Sequence, residues 1–361
     1  MSKRAYLTLV AASALLLTAC SDGSEPGPAE GPAEGPTKVS IVSGNQSPDV
    51  STWQVYLPEM LKYWEDEGLD VTVNYTQGSP AAVQGLVAGQ ADFAFSTLTP
   101  VLAASSDGED VRPVVNQTVM AWRLAVPTDS AIKDPGDLKG AKIGLFAAGA
   151  GSQPYLERWL TDAGIDIQTD IEYIVTGGAA ASYEALKNGT VDVAFSFIDM
   201  LGQMEALGGE YRYLADDKWL KMPDYGLSTS TKMIKDRDTL VAVSRGVAKA
   251  MVFLTENPRC AAEVFMKTPT GMGGSVDQFE AALRASAKQA KASFDSQGTG
   301  YWGFVEPSRL QAAIDLQLDL GLISKKLDAK AMVPGDLELA KAVNDFDADE
   351  IRAAARACDL G

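Results

Sequence analysis

The residues able to do chemistry are unevenly supplied. The chain of 361 residues has no histidine and three cysteines, which removes the commonest general base and the commonest transition-metal ligand. Arg123 sits inside an apolar run, VMAWRLAV, from Val119 to Val126 with Trp122 beside it. A buried charge there needs a partner, so it either pairs with a structural carboxylate or meets an anionic ligand through its forked donors. Trp53 and Tyr56 fall in the first turn of a predicted helix beside a strand-end loop. A ring in that place either packs into the core or stacks on a ligand. Ala147 to Pro154, AAGAGSQP, presents backbone N–H groups at a helix start, with Ser152 as N-cap and Pro154 in the first turn. Such a terminus accepts anionic or oxygen-rich groups. It lacks the Lys-Ser/Thr ending of a nucleotide loop and the spacing of a dinucleotide fingerprint, so no cofactor is implied.

An internal repeat sets two more positions. Gly78 to Ser96, GSPAAVQGLVAGQADFAFS, returns one hundred residues later as Gly178 to Ser196, GAAASYEALKNGTVDVAFS, with eight of nineteen positions identical. Chance gives about one or two, so these are two copies of one helix-turn-strand unit and the chain has two similar lobes. In each copy a glycine, Gly89 or Gly189, ends a helix, and an apolar run follows as a buried parallel strand. Ser96-Thr97 and Ser196-Phe197 then stand at strand carboxyl ends, where open α/β sheets bind ligands. The alternative is that both serines cap the next helix.

The elements that must position these residues alternate along the chain. Strands are predicted at Lys38 to Ser43, Leu69 to Thr76, Val111 to Asn116, Val119 to Val126, Lys142 to Phe146, Ile171 to Val175 and Tyr211 to Ala215. Helices are predicted at Thr52 to Glu67, Tyr155 to Ala163 and Ile198 to Leu207, with Trp219 to Tyr225 as loop. From Asp236 on only helices follow: Asp236 to Glu256, Pro258 to Met266, Ser275 to Ser293, Pro307 to Leu320 and Asp347 to Ala357. The roughly 325 residues after the N-terminal segment exceed what one core usually holds. The expected division is 37–125 for lobe 1, 126–227 for lobe 2, and 228–361 returning to lobe 1.

Ahead of them, Lys3 and Arg4 precede an apolar run from Ala5 to Leu17 that is too short to span a membrane and reads, over residues 1–19, as an export signal. It ends in Leu17-Thr18-Ala19-Cys20, which resembles the lipobox of bacterial lipoproteins, so Cys20 is the expected lipid attachment site. Residues 20–36, rich in proline and glycine, read as a disordered tether. The net charge of −17 argues against nucleic acid or an anionic membrane surface as a partner. In an exported chain Cys260 and Cys358 form either a disulfide or two buried thiols.

Val83 to Asp92 (VQGLVAGQAD), Asp137 to Gly144 (DLKGAKIG), Tyr183 to Asp192 (YEALKNGTVD) and Thr255 to Pro258 (TENP), in this order and spacing, resemble the type II periplasmic solute-binding proteins of ABC importers. The resemblance is to the branch that takes sulfonates, nitrate, taurine and thiamine-pyrimidine precursors, and it covers nearly all of Val39 to Phe346. It implies an α/β fold of two Rossmann-like lobes with a hinge and a helical C-terminal extension. It also implies a monomeric lipoprotein of the cell envelope that closes on one solute and hands it to a membrane permease driven by an ATPase. Carried onto this chain, the ligand contacts are Asn45, Gln46, Trp53, Thr97, Ser152, Gln153, Ser196, Phe197 and Asp199, with Trp122, Arg123 and Tyr225 as neighbours. If Arg123 dominates, the solute is an acid or sulfonate; if Asp199 dominates, it is an amine-bearing heterocycle. A pyrimidine synthase of the same fold needs a reacting histidine and a cysteine-rich iron loop, which this sequence lacks, so no enzyme is expected. A lipoprotein feeding a membrane sensor is the remaining alternative.

Overall fold

The computed structural model describes residues 35–148, 152–269, 273–333 and 337–359. Cys20, the export signal and most of the tether lie outside them. Among the described residues no helix is long and apolar enough to cross a membrane.

Ten strands form two five-stranded sheets. The strands are β1 (Thr37–Ser43), β2 (Leu69–Tyr75), β3 (Phe93–Thr97), β4 (Arg112–Asn116), β5 (Trp122–Pro127), β6 (Lys142–Leu145), β7 (Glu172–Val175), β8 (Val193–Phe197), β9 (Tyr211–Leu214) and β10 (Tyr225–Thr229). The first sheet has the order β2-β1-β3-β10-β4 and the second β7-β6-β8-β5-β9. Each is parallel except for one strand: β10 is antiparallel to β3 and β4, and β5 is antiparallel to β8 and β9. The orders match position by position, and the two repeat strands, β3 and β8, occupy the centre of their sheets.

The helices α1 (Trp53–Met60), α2 (Ser79–Val87), α3 (Leu98–Asp107), α4 (Gln153–Asp162), α5 (Ala179–Lys187) and α6 (Ile198–Ala206) connect these strands. After β10 come α7 (Thr231–Lys235), α8 (Arg237–Glu256), α9 (Pro258–Lys267), α10 (Val276–Gln297), α11 (Pro307–Asp319), α12 (Ala329–Met332), α13 (Leu337–Val343) and α14 (Ala348–Ala357). Residues of α1, α8, α9 and α10 share one apolar core with the first sheet, and residues of α2, α3, α11 and α12 share another. The helical tail therefore belongs mainly to the first half. It also reaches the second half, because α10 packs along α6.

The identical aspartate of the two repeat copies has a structural use. Asp92 Oδ2 accepts hydrogen bonds from Ser40 N (2.9 Å) and Ser40 Oγ (2.7 Å), and Asp192 Oδ2 accepts one from Lys142 N (2.8 Å). Each carboxylate thus ties the start of a central strand to its parallel neighbour. Gly89 and Gly189 adopt φ of +69° and +73°, the left-handed helix ending that a side chain disfavours.

Three expectations are corrected. The chain leaves the first sheet between Asn116 and Trp122, not at residue 125, because β5 pairs with β8. It returns before Tyr225, which opens β10 and is not loop, so the second crossing precedes residue 227. The predicted helix from Thr52 to Glu67 stops at Met60; Lys62 takes a φ of +59°, and turns run on to Gly68.

A disulfide joins Cys260 in α9 to Cys358 after α14, at a sequence separation of 98. Cross-linking a loop of that length constrains the unfolded chain strongly. Replacing both cysteines by serine is expected to lower stability by about 2–5 kcal/mol, read from urea unfolding of the oxidised protein and the variant.

Candidate functional site

The carboxyl end of β1 runs into a polar loop. Ser43 Oγ donates to Asn45 Oδ1 (3.2 Å), Tyr225 Oη donates to the same oxygen (3.1 Å), and Asn45 Nδ2 reaches Ser51 Oγ (3.4 Å). Asp49 caps the 3-10 turn Val50–Thr52 that leads into α1, accepting from Ser51 N (2.7 Å) and Ser51 Oγ (2.5 Å). Gly44 is required in this loop, because a Cβ on it would lie 2.8 Å from the Ser79 Cα at the start of α2. Ser79 Oγ in turn accepts from Thr97 N (3.0 Å), so the ends of β1 and β3 are held to one helix terminus.

At the matching edge of the second sheet the side chains are aromatic. Phe197 meets Trp122 and Phe146 edge to face, each at a centroid distance of 5.5 Å, and Trp122 also lies 5.2 Å from Phe195. Ser196 is fully buried and turns its hydroxyl to Met200 Sδ (3.0 Å). Ser152 is buried at the start of α4 without capping it, and Gln153 Nε2 donates to Glu157 Oε1 (2.7 Å).

Helices that leave the two edges touch. Thr99 of α3 lies 3.4 Å from Tyr155 Oη of α4. Asp199, in the first turn of α6, meets Ser286 of α10. Arg158 pairs with Asp319 at 3.0 Å on the same seam. The electrostatics of this crevice are acidic. Burial, and then the charge of Asp49, pushes the Asp199 carboxyl up to about 7. Asp49 is raised as well, burial outweighing the hydrogen bonds from Ser51, Asn45 and Thr52 that favour its charged form. The charges of Asp49 and Asp199 both add to the burial that raises the Tyr56 phenol.

Arg123 has a different setting from the ligand-facing one its sequence left open. Its Nη1 donates to the carbonyls of Met120 (3.0 Å) and Trp122 (2.7 Å). Burial lowers its pKa, while the charge of Asp224 works the other way. Asp224 itself is pushed up to about 7 by burial, with Arg123 opposing the shift. Arg123 thus donates to backbone carbonyls, within reach of the charge of Asp224, at the point where the chain crosses between sheets. Trp53 is 4% exposed and lies in the first half's core. Gln46 is exposed in the β1 loop. Asn45 and Tyr225 thus share one strand-end network with Thr97 held beside it, Trp122 and Phe197 share the other, and Asp199 follows it in α6.

Sequence reasoning passed over Asp49, Phe146, Thr99, Tyr155 and Ser286. Phe146 had a signal, since it is the last residue of a predicted strand in the second lobe. Ser286 had none, because it lies mid-helix and reaches the crevice only through the packing of α10 on α6.

Two outcomes follow from this geometry. Because the native state holds the Asp199 proton more tightly than the unfolded chain, the stability that this group contributes is fully present below the unfolded value of 3.8 and is lost as pH rises through about 7. Asp199→Asn is expected to remove that decline, gaining on the order of 1–3 kcal/mol over wild type at pH 8 relative to pH 4, measured by urea unfolding at both values. Trp53→Ala should cost about 3–5 kcal/mol of stability, visible as a lower unfolding midpoint.

The comparisons with known proteins agree with this architecture. No curated protein matches the chain by sequence. Among solved structures, the chain is similar to the periplasmic aliphatic sulphonate binding protein SsuA from Escherichia coli, at 19% identity and a TM-score of 0.60 over 82% of this chain and 92% of that one. It is similar to the alkanesulfonate-binding protein SsuA from Xanthomonas axonopodis pv. citri bound to MOPS, at 19% identity and 0.58 over 83% and 99%. The desulfurization enzyme DszB is also similar, at 13% identity and 0.55 over 85% and 99%. At these identities the likeness establishes the fold, that of the periplasmic binding proteins. The family model described as NMT1/THI5 like matches residues 51–261, more than half of the chain. The chain belongs to the NMT1/THI5-like family.

Proposed function

We propose that this chain is the solute-binding subunit of an ABC importer, anchored through a lipid on Cys20 at the outer face of a bacterial membrane. It captures a small organic solute as a monomer and delivers it to a permease driven by an ATPase. The observation that carries this reading is the pair of matched sheets whose repeat-encoded strand ends face one another across two chain crossings. A solute held there touches both halves, so its binding energy favours the closed arrangement over the open one, and a permease can sense the difference. The contacts assigned to it are Asn45, Thr97 and Tyr225 from the first half and Trp122, Phe197 and Asp199 from the second. Gln46, Ser152, Gln153 and Ser196 flank them.

The fold alone does not separate binding from catalysis, since a desulfurization enzyme shares it. The lack of histidine in this chain favours binding, because proton transfer is most often assigned to that side chain.

Thermal unfolding of the mature protein across sulfonates, organic acids, amines, pyrimidines and flavins tests the reading. One class is expected to stabilise it, a solute at about 100 times its Kd adding about 2.7 kcal/mol. Asn45→Ala and Tyr225→Phe should weaken that solute about tenfold or more, as loss of a buried hydrogen-bonding partner does. Equal stabilisation in both variants would place the site elsewhere. Cys20→Ser should move the protein from the membrane fraction to the soluble one.

A further inference from the structure

The two walls of the crevice differ in chemistry although their strands correspond. The crossing strands put Tyr225 opposite Thr97 in the first sheet and Trp122 opposite Phe197 in the second. Continuing along the first edge come Ser43, with Asn45 beyond it, and Tyr75. Along the second come Phe146, directly after β6, and Val175 at the end of β7. Phe146 is 37% exposed and Val175 57% exposed. One wall is therefore hydroxyl and amide, and the other is an open apolar shelf.

Charge is distributed as unevenly. Asp49 follows the β1 loop and Asp199 follows β8, and α10 joins their surroundings: it packs on the 3-10 turn that Asp49 caps and on α6, which carries Asp199. Among the described residues at these strand ends the one base is Arg123, whose Nη1 donates to the carbonyls of Met120 and Trp122 and whose charge is felt by Asp224. An anionic group placed between Asp49 and Asp199 would meet two carboxylates, while the single arginine lies back at the crossing with its Nη1 on backbone carbonyls. The net charge of −17 adds a field that attracts cations and repels anions.

We infer that the solute is a hydrophobic ammonium compound, its flat apolar body lying on Phe146 and Phe197 and its cationic nitrogen between Asp49 and Asp199. This inference rests on the solute-binding reading above and sharpens it. Rings and apolar bodies gain from the aromatic shelf. A desolvated cation gains from carboxylates that would otherwise be buried without a counter-charge. The ligand chemistry is thus opposite in sign to that of the sulfonate-binding proteins that share the fold.

Isothermal titration of the mature protein with matched pairs tests this: tryptamine against indoleacetate, and phenyltrimethylammonium against benzenesulfonate. The ammonium member of each pair is expected to bind and the anion not. Asp199→Asn and Asp49→Asn should each weaken the ammonium probes at least about tenfold. Phe146→Ala, at a partly exposed position where folding is retained, should weaken them several-fold and the indole most, with circular dichroism unchanged. Binding of the anions in place of the ammonium compounds overturns the inference and leaves the solute-binding reading standing. Ammonium binding that is unchanged in both Asp199→Asn and Phe146→Ala overturns it too, as does no response to either ammonium probe; a hit from another solute class in the thermal panel would still support a binding protein.

Discussion

The arrangement depends on the hydrogen-bonded insertion of one antiparallel strand into each sheet. β10 enters between β3 and β4, and β5 enters between β8 and β9. Both strands begin immediately after a crossing, so the segments joining the halves are pinned to the repeat strands themselves. Tyr225 is registered against Thr97 and Trp122 against Phe197. A crossing held in this way keeps the carboxyl ends of two sheets directed at each other, and a shift of one residue would turn each crossing side chain to the other face. Short backbone contacts between the crossings, such as Asp224 N to Thr118 O (3.0 Å) and Gln117 N to Tyr225 O (2.9 Å), add to the same constraint.

Electrostatics around the crossings follow from that placement. Arg123 and Asp224 come from different crossings and are brought together where burial disfavours both charges. Removing water from a charged group is costly, and backbone carbonyls on Arg123 offset part of that cost. These carbonyl contacts hold the arginine at the join, and Asp49 and Asp199 are the carboxylates beyond it. The same crevice is bounded by α10, a helix of the first half that lies against α6 of the second. Gly202 in α6 makes this approach possible, since a Cβ there would lie 3.1 Å from the Ala281 carbonyl oxygen.

Much of the fold was legible because its signals are local. Period-two and period-3.6 apolar patterns located nearly all the strands and the five long helices of the tail, and caps such as Asp236, Asn257 and Ser275 stand at their starts. The first helix was overextended because its apolar stripe continues through Tyr63 and Trp64. Those rings are buried from turns after a left-handed Lys62, with Trp64 Nε1 bonded to the Val243 carbonyl 179 residues away. Periodicity detects burial and cannot tell a helix from a turn that buries the same faces.

By itself the sequence determined that there are two related halves, that each presents a strand end from a repeated unit, and that histidine chemistry is excluded. The tertiary structure decided where the chain changes sheets, that Arg123 is engaged at the crossing while Trp53 is core, and that Asp49, Phe146 and Ser286 join the crevice. The physical reason is range. Turns, caps and apolar periods are written within a few residues, whereas the surroundings of a charge and the partner of a strand depend on segments tens to more than a hundred residues apart that meet only after folding.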